Sequence, residues 1–436
     1  MKHPDTKAHF FRQSGWMMAA NVLCGVFMML VAPFAARLNP PEDYSVFVTI
    51  LRLFVLLTIP ASALQTLLAQ QTAAAIDGGS RKALAATARG LLKLTFAFWL
   101  LLLVVALFFQ RQFMAMFQVT QPSLIWAMMI LTLAALWAPI FQGLLQGLQD
   151  FFLLGWSMIL NGVGRLISVA LGVKMLGIGA AGATIGAAFG FIVAAVTAAW
   201  PARVAFQGGG GDFNLVRFLK RFAPLTAGAG STIFIINVDM PLVQSHFPAE
   251  VSRFYAAAET IGIALVTLCT PVAAVMFPKL VRGRATGSGS NALYLAVTGT
   301  AWLGVAAAVF CTIFPKLPLQ IMFYKSKDML QAAPLIPWFM WAMVPLTMYN
   351  VLVNNLIARE RFGIVPFAAA LPIGYALTLY YFLENTSLAP FAAFTRVIQI
   401  LMFFSTALLT ASILFSLRAS REDAAAVRSQ PAAATP

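Results

Sequence analysis

The sequence is poor in charged residues and poorest in acids. Only 10% of its 436 residues are charged, and Asp and Glu together number 14, whereas a soluble domain carries roughly 25% charged residues. Because 61% of the residues are hydrophobic, a soluble fold could not cover so much apolar surface. This scarcity of charge excludes a soluble globular protein and predicts an all-α membrane protein. The alternating pattern of a membrane β-barrel is also missing.

Cysteine and histidine are equally scarce, with three residues of each. The cysteines lie in apolar segments, where we expect them to act as small packing residues, and the histidines lie outside those segments or at their edges. The spacing of these six residues fits neither a metal site nor a set of disulfides. They are Cys24, Cys269, Cys311, His3, His9 and His246. The apolar segments also lack paired carboxylates, a phosphate-binding loop and a nucleophile motif. We therefore predict a protein that is not an enzyme and binds no metal.

About twelve apolar segments are long enough to cross roughly 30 Å of hydrocarbon. Charged, Gly-rich or Pro-rich stretches separate them, and their predicted bounds are 14–36, 44–70, 86–109, 122–146, 151–174, 178–200, 218–243, 254–278, 291–315, 332–356, 363–383 and 388–417. The first segment is too long for the core of a signal peptide, so we expect it to be retained as a helix.

A glycine run at 207–212 divides the segments into two sets of six. We predict an N-terminal lobe at 14–200, a linker at 201–217 and a C-terminal lobe at 218–417. The halves also match weakly at a constant separation, which predicts lobes related by a pseudo-twofold axis along the membrane normal. The matching pairs are Phe11 with Phe222, Tyr44 with Tyr255 and Pro60 with Pro271.

Most loop lysines and arginines fall on the side of the N-terminus, which predicts that both termini are cytoplasmic. Residues 1–13 are then a cytoplasmic N-terminus and 418–436 a disordered cytoplasmic tail. The net charge of +15 reflects this topology, because the basic residues are scattered through short loops. A nucleic-acid partner is not expected.

Three arginines lie inside predicted segments: Arg52, Arg165 and Arg396. Counted at about 1.5 Å per residue, all three lie roughly 12 to 14 Å from the outer end of their segment. A charged side chain inside a bilayer costs free energy, and a cationic layer that lines a water-filled lumen would avoid that cost. Alternatively, each side chain extends to the membrane interface or pairs with a separate structural partner. Five uncharged polar residues are candidates for the same lumen: Gln65, Asn161, Asn354, Asn355 and Gln399. Hydrogen bonds between helices would explain their presence in apolar segments equally well.

Asp239 is the clearest acid within the segments. It could carry a coupling proton, neutralise an arginine, or be a hydrated residue at a helix end. Because arginines outnumber acids inside the segments, we predict an anionic substrate.

Small residues and prolines are expected to shape the helices. We predict that a glycine stripe permits close helix packing and that four prolines kink or break helices. The residues are Gly182, Gly186 and Gly190, and Pro60, Pro139, Pro224 and Pro271.

Three stretches resemble polysaccharide exporters of the multidrug/oligosaccharidyl-lipid/polysaccharide (MOP) flippase superfamily: Ala35–Phe47, residues 143–182 and residues 237–258. Ser45 stands where those sequences often have glycine. The resemblance implies two six-helix lobes around a central cavity that flips a polyprenyl-diphosphate oligosaccharide from the cytoplasmic to the periplasmic leaflet. It adds Arg37 to the candidate site. We expect a multi-pass protein of a bacterial inner membrane that has no cofactor and whose transport is coupled to a proton or sodium gradient. The expected partners are an anionic lipid-linked glycan, membrane lipids, and the polymerase and glycosyltransferases of a glycan-synthesis system.

Two other interpretations remain open at this stage. A major-facilitator transporter or a drug exporter would also have two lobes, although Asp77–Lys82 matches the major-facilitator loop motif only loosely. A membrane scaffold without transport activity would leave the buried arginines unexplained.

Overall fold

The computed structural model describes residues 6–38, 41–75, 78–119, 122–176, 179–206, 213–285, 289–323, 327–359 and 361–429. These residues form helices and turns and contain no strand, which confirms the all-α fold class. The N-terminal lobe comprises α1 (Thr6–Leu38), α2 (Pro41–Leu57), α3 (Ile59–Ala74), α4 (Gly78–Met116), α5 (Pro122–Gly147), α6 (Phe151–Leu176) and α7 (Gly179–Ala202).

The C-terminal lobe begins after a short 3-10 helix at Arg203–Phe206, and the glycine run lies outside the described residues. This lobe comprises α8 (Leu215–Ile235), α9 (Asp239–His246), α10 (Ala249–Ala285), α11 (Gly289–Ile313), α12 (Lys316–Met322), α13 (Ile336–Ala358), α14 (Val365–Glu384) and α15 (Pro390–Ser429). Two further 3-10 helices lie at Lys327–Leu335 and Phe362–Ile364.

The helices have the length and apolar character of membrane spans. Within the described part of the chain, eight helices are long and apolar enough to cross a bilayer, or up to ten if each of two bent pairs, α8 with α9 and α11 with α12, is counted as one span. The helices α1 and α10, of 33 and 37 residues, complete six long segments in each lobe. The protein is therefore a multi-pass membrane protein.

Two helix breaks position residues discussed below. The second segment divides at Thr58, between α2 and α3, and Pro60 occupies the first turn of α3, as expected for a residue that cannot donate a backbone hydrogen bond. The seventh segment divides at 236–238, where α8 and α9 meet at a bend of 42°. The Asn237 side chain bonds to the carbonyl of Ile233 at 2.6 Å and satisfies one group that the break leaves free.

The glycine stripe packs α7 against α6, as predicted. A Cβ on Gly186 would lie 2.4 Å from the backbone of Ser168 and Val169, and a Cβ on Gly190 would lie 2.3 Å from the carbonyl of Asn161. These distances are shorter than any carbon contact tolerates, so only glycine allows the two backbones to approach this closely.

The structure corrects the expected disorder of the tail, because α15 remains helical to Ser429. Glu422 explains part of this extension. It accepts a hydrogen bond from Arg418, one turn earlier, at 3.2 Å and one from Arg361 at 2.7 Å. Pairs at this spacing support helices. Residues 430–436 lie outside the described part of the chain.

Candidate functional site

An ion pair buried between the two lobes is the centre of the candidate site. Arg52 on α2 donates from Nε to Oε1 of Glu259 on α10 at 3.0 Å, and from Nη2 to Oε2 at 3.4 Å. The Glu259 side chain has no exposed surface, and that of Arg52 is 11% exposed. Two N–H···O contacts fix both side chains in one orientation, and loss of either partner would leave a buried charge. The pair therefore ties the lobes together.

A second buried carboxylate, Asp239, lies in the first turn of α9 and is fully buried. Its Oδ2 accepts a hydrogen bond from the hydroxyl of Tyr255 at 2.6 Å, and its Oδ1 accepts one from the backbone N–H of Met240 at 3.0 Å. Arg52 and Glu259 both lie within electrostatic range of Asp239. The interpretation of Asp239 as a hydrated residue at a helix end is therefore wrong, because the residue lies in the protein interior after the bend between α8 and α9.

Three buried tyrosines surround the charged groups. Tyr44 on α2 shares a hydrogen bond of 3.1 Å with Thr260, and its ring meets the ring of Phe323 edge-on at 5.3 Å. Tyr255 bonds to Asp239 as described, and the buried hydroxyl of Tyr375 on α14 lies in the field of both carboxylates. Within the described residues, that hydroxyl has no hydrogen bond of ordinary geometry. Tyr44 and Tyr255, paired by the internal sequence match, thus both line this interface.

Gln118 forms a second connection between the lobes. It follows α4 in a left-handed backbone conformation, with φ of 55°. Its Nε2 donates to the carbonyls of Gln244 and Phe247 at 3.1 and 2.9 Å, and its Oε1 accepts from the backbone N–H of Ala249 at 2.9 Å. The hydroxyl of Ser45 also donates to the carbonyl of Ala249, at 3.0 Å. Side chains of the N-terminal lobe therefore supply hydrogen-bond partners for the backbone groups of the turn between α9 and α10.

All these contacts lie in one half of the helix bundle. The helices α2 and α10 begin there and α4 ends there, so we name it the distal end, opposite the end at which α1 begins. The opposite end, with the α3–α4 connection and the start of α8, is the proximal end. An apolar cluster seals the distal contacts against solvent and includes residues of both lobes: Val31, Ala35, Tyr44, Phe47, Tyr255, Ile336, Phe339 and Phe394.

Two clefts lie between the lobes at the proximal end. One has a volume of about 290 Å³ and is lined by residues of α3, α4 and α8 that include Gln71, Thr87 and Arg221. The other, of about 510 Å³, is lined by Arg89 and Lys93 of α4 and by the chain that leads into α8. The cationic groups at this end border open clefts, in contrast to the paired charges at the distal end.

Arg165, predicted to face a lumen, is buried within the N-terminal lobe. Its Nε donates to Oδ1 of Asn161 at 3.1 Å, and its guanidinium lies 4.2 Å from the centre of the Phe191 ring. No Asp or Glu oxygen of the described residues lies within 4.0 Å of it. An aromatic face and one amide are weak compensation for a buried cation.

The remaining candidates lie in separate surroundings. Arg396 is exposed on α15 and donates to Gln399 at 2.9 Å, so the three arginines occupy three different environments. Asn354 is exposed and bonds to Asn350 within α13. Asn355 and Gln65 are partly buried on α13 and α3. Arg37 lies in the last turn of α1, and its side chain is outside the described part of the structure.

Glu259 and Gln118 are the residues that the sequence interpretation missed. Glu259 stands alone in an apolar run that begins Tyr255-Ala-Ala-Ala, and an isolated acid in such a run is itself a signal. Gln118 carries no comparable signal, because its role depends on a loop conformation. Within the described residues, no group of three His, Cys, Asp or Glu side chains could hold a metal ion.

Neither a protein-family model nor a curated protein matches this sequence. Comparison with solved structures gives clear matches. The lipid II flippase MurJ in an inward closed conformation superimposes with a TM-score of 0.68 at 14% identity, covering 92% of this chain and 90% of that chain. A multidrug-resistance MATE transporter of the MOP superfamily, in its inward-facing conformation, gives 0.66 at 12% identity, with 96% and 100% covered.

A MATE transporter of the same superfamily in an outward-facing conformation gives a lower TM-score of 0.57, at 15% identity and with 96% and 99% of the two chains covered. The chain therefore has the fold of MOP-superfamily transporters over almost its full length, as the fold class inferred from the sequence requires.

Proposed function

We propose that this protein flips a lipid-linked, anionic oligosaccharide between the leaflets of a bacterial inner membrane by alternating access of its two lobes. The observation that carries the proposal is the asymmetry between the two ends. Buried polar contacts join the lobes at the distal end, whereas clefts lined by both lobes lie at the proximal end. In this orientation the proximal end and both termini face the cytoplasm, and the distal end is closed toward the periplasm.

The fold comparisons support the inward-facing assignment. The TM-score is 0.66 with the inward-facing MATE transporter and 0.57 with the outward-facing one. A substrate would therefore enter from the cytoplasmic side, between the proximal ends of the lobes.

An anionic head group is the substrate chemistry that the cations favour. Arg89, Lys93 and Arg221 border the proximal clefts, and Arg165 is a buried cation without a carboxylate partner among the described residues. Diphosphate oxygens accept several hydrogen bonds from guanidinium groups at once. The fold of a lipid II flippase and the resemblance to polysaccharide exporters support a lipid-linked substrate for surface or exopolysaccharide synthesis.

The proposal assigns no catalytic residue. Arg165 and Arg37 are proposed to contact substrate, and Asp239 to couple transport to an ion gradient. Polymerases and glycosyltransferases are the proposed partners, because a flipped repeat unit has to be made on one face of the membrane and consumed on the other.

A drug exporter is the second candidate, favoured by the fold of a multidrug transporter and by the two buried acids Asp239 and Glu259. The distinction is chemical. An exporter of organic cations would place those acids in its binding site, whereas here Glu259 is engaged by Arg52 in an interface between lobes.

Deletion of the gene in its host tests the proposal. The surface glycan should disappear while lipid-linked repeat units accumulate on the cytoplasmic side, measured by glycan staining and by mass spectrometry of extracted lipids. A normal surface glycan would rule out the function, and increased drug sensitivity with normal glycan would favour the exporter.

Purified protein in vesicles gives a residue-level test. Arg165→Met should reduce flipping of a lipid-linked oligosaccharide about tenfold or more, since a hydrogen bond to a charged group contributes about 1.5–3 kcal/mol. Thermal unfolding measures whether the variant stays folded. Arg418→Met, at a side chain that is 76% exposed, is the matched control and should leave flipping unchanged. Equal flipping by the two variants would remove Arg165 from the substrate site.

A further inference from the structure

The distal interface contains an unbalanced set of buried charges. Asp239 and Glu259 are both fully buried, and Arg52 is the cation that pairs with Glu259 and lies within electrostatic range of Asp239. Two ionised carboxylates and one guanidinium carry a net charge of −1. Burial of an uncompensated charge costs several kcal/mol in a protein interior, and the interior usually avoids that cost by binding a proton.

The groups that face the two carboxylates can be named element by element. The helix α2 contributes Arg52 and Tyr44, α10 contributes Tyr255 and Thr260, and α14 contributes Tyr375. Phenol and alcohol groups are neutral at physiological pH. None of these described neighbours supplies a second positive charge, so the balance of −1 stands.

The hydrogen bonds indicate which carboxylate holds the proton. Both oxygens of Glu259 accept from the guanidinium of Arg52, which favours an ionised Glu259. Asp239 instead touches neutral partners, the Tyr255 hydroxyl and a backbone N–H. The buried hydroxyl of Tyr375 lies next to Asp239 without a hydrogen bond of ordinary geometry among the described residues, and it can accept a hydrogen bond from a protonated carboxyl. Asp239 is the better site for the proton.

We propose that the closed distal interface binds one exchangeable proton on the Asp239–Glu259 pair, and that release of this proton opens the interface. This inference rests on the proposed alternating access. In the open state the cluster is hydrated and both acids ionise, so closure requires a proton taken up from the periplasmic side. The proton leaves on the cytoplasmic side while the transporter faces inward, before the distal interface opens again. Each cycle then carries one proton inward, so an inward proton gradient drives the return of the empty transporter to its inward-facing state.

The number of bound protons can be measured from how steeply the ratio of closed to open molecules changes with pH. Spin labels at positions 113 and 388, both exposed at the distal end of different lobes, report the distance between the lobes in vesicles from about pH 5 to pH 9. The labels need a background without cysteine, so Cys24, Cys269 and Cys311 are replaced first. With one proton bound only in the closed state, the ratio of closed to open molecules should fall by up to about tenfold per pH unit.

Three variants change the proton count in different directions. Asp239→Asn and Glu259→Gln each leave a cluster that is neutral without a proton, so the dependence on pH should disappear. Arg52→Gln leaves two acids and no cation, so closure should need two protons and the slope should approach about a hundredfold per pH unit. Asp150→Asn, at an acid in the α5–α6 turn, is the control and should keep the wild-type slope.

The outcomes separate this inference from the proposed function. A wild-type distance that does not change with pH, a full response in Asp239→Asn and Glu259→Gln, or a response to sodium at constant pH would each overturn the proton site. Flipping in the same vesicles is scored independently. Flipping without a pH-dependent distance refutes the proton site alone, and a pH-dependent distance without flipping of the lipid-linked oligosaccharide refutes the proposed substrate alone.

Discussion

The distal and proximal ends of the bundle use polar residues in opposite ways. At the distal end, Arg52 and Glu259 are buried against each other, and Gln118 makes three hydrogen bonds to the facing lobe. At the proximal end, Arg89 and Lys93 border an open cleft. Polar contacts in a dry interface are strong and costly to break, whereas exposed charges are screened by water and salt. The comparison indicates that the distal end holds the lobes together, whereas the proximal end leaves clefts at which the proposed substrate would enter.

The largest expected effect comes from removing one member of the distal ion pair. Glu259→Ala removes the two hydrogen bonds between the Arg52 guanidinium and the Glu259 carboxylate, and a hydrogen bond to a charged group contributes about 1.5–3 kcal/mol. The ratio of closed to open molecules should fall at least a hundredfold, measured with the distal spin labels. Glu422→Ala, which breaks the exposed pairs with Arg361 and Arg418, should change the ratio little. Similar effects of the two variants would show that the buried pair holds the lobes together no more strongly than the exposed pairs do.

A smaller effect is expected at Gln118. Gln118→Ala removes three hydrogen bonds, and the carbonyl of Gln244 and the N–H of Ala249 lose the Gln118 side chain as their partner. The carbonyl of Phe247 keeps its bond from Ser252. A cost of about 1–3 kcal/mol corresponds to a reduction of about 5- to 150-fold in the closed fraction relative to the open one. The same label pair measures it. Gln118→Glu sharpens the test, because it keeps the acceptor for Ala249 but loses both donors, so it should retain only part of the wild-type closure. An unchanged distance distribution in Gln118→Ala would show that the loop is not a connection between lobes.

The smallest effect is expected at the proximal end. Lys93→Gln removes an exposed cation, so the distal distance distribution and the thermal stability should stay within about 0.5 kcal/mol of wild type. Flipping at low salt should slow a few-fold, and the difference should vanish at high salt, because exposed charges act over a screening length. A shift in the distal distances would contradict the assignment of separate roles to the two ends.

Sequence reasoning reached the fold because long apolar runs leave few alternatives inside a bilayer. The break before Pro60 was also predictable, since proline disrupts a helix in a known way. The break at 236–238 was not, because its sequence, Ile-Asn-Val, contains neither glycine nor proline. That break decides where Asp239 points, so its burial was out of reach of the sequence.

The arginines show the same limit. Counting residues along a helix gives the depth of a side chain but not the direction in which it points around the bundle. Arg52, Arg165 and Arg396 were assigned one depth, yet one pairs with Glu259, one rests on Phe191 and one is exposed. Whether any of them contacts substrate stays a prediction.

The glycine stripe between α6 and α7 has a mechanical consequence. A Cβ on Gly190 would lie 2.4 Å from Cγ of Arg165, and the backbones around Gly186 are in direct contact. Such a pair of helices has no free space in which to deform. An anion bound to Arg165, as proposed, would therefore pull on α6 and α7 together, because neither helix has room to shift against the other. The two helices would then move as one body when the proposed substrate binds.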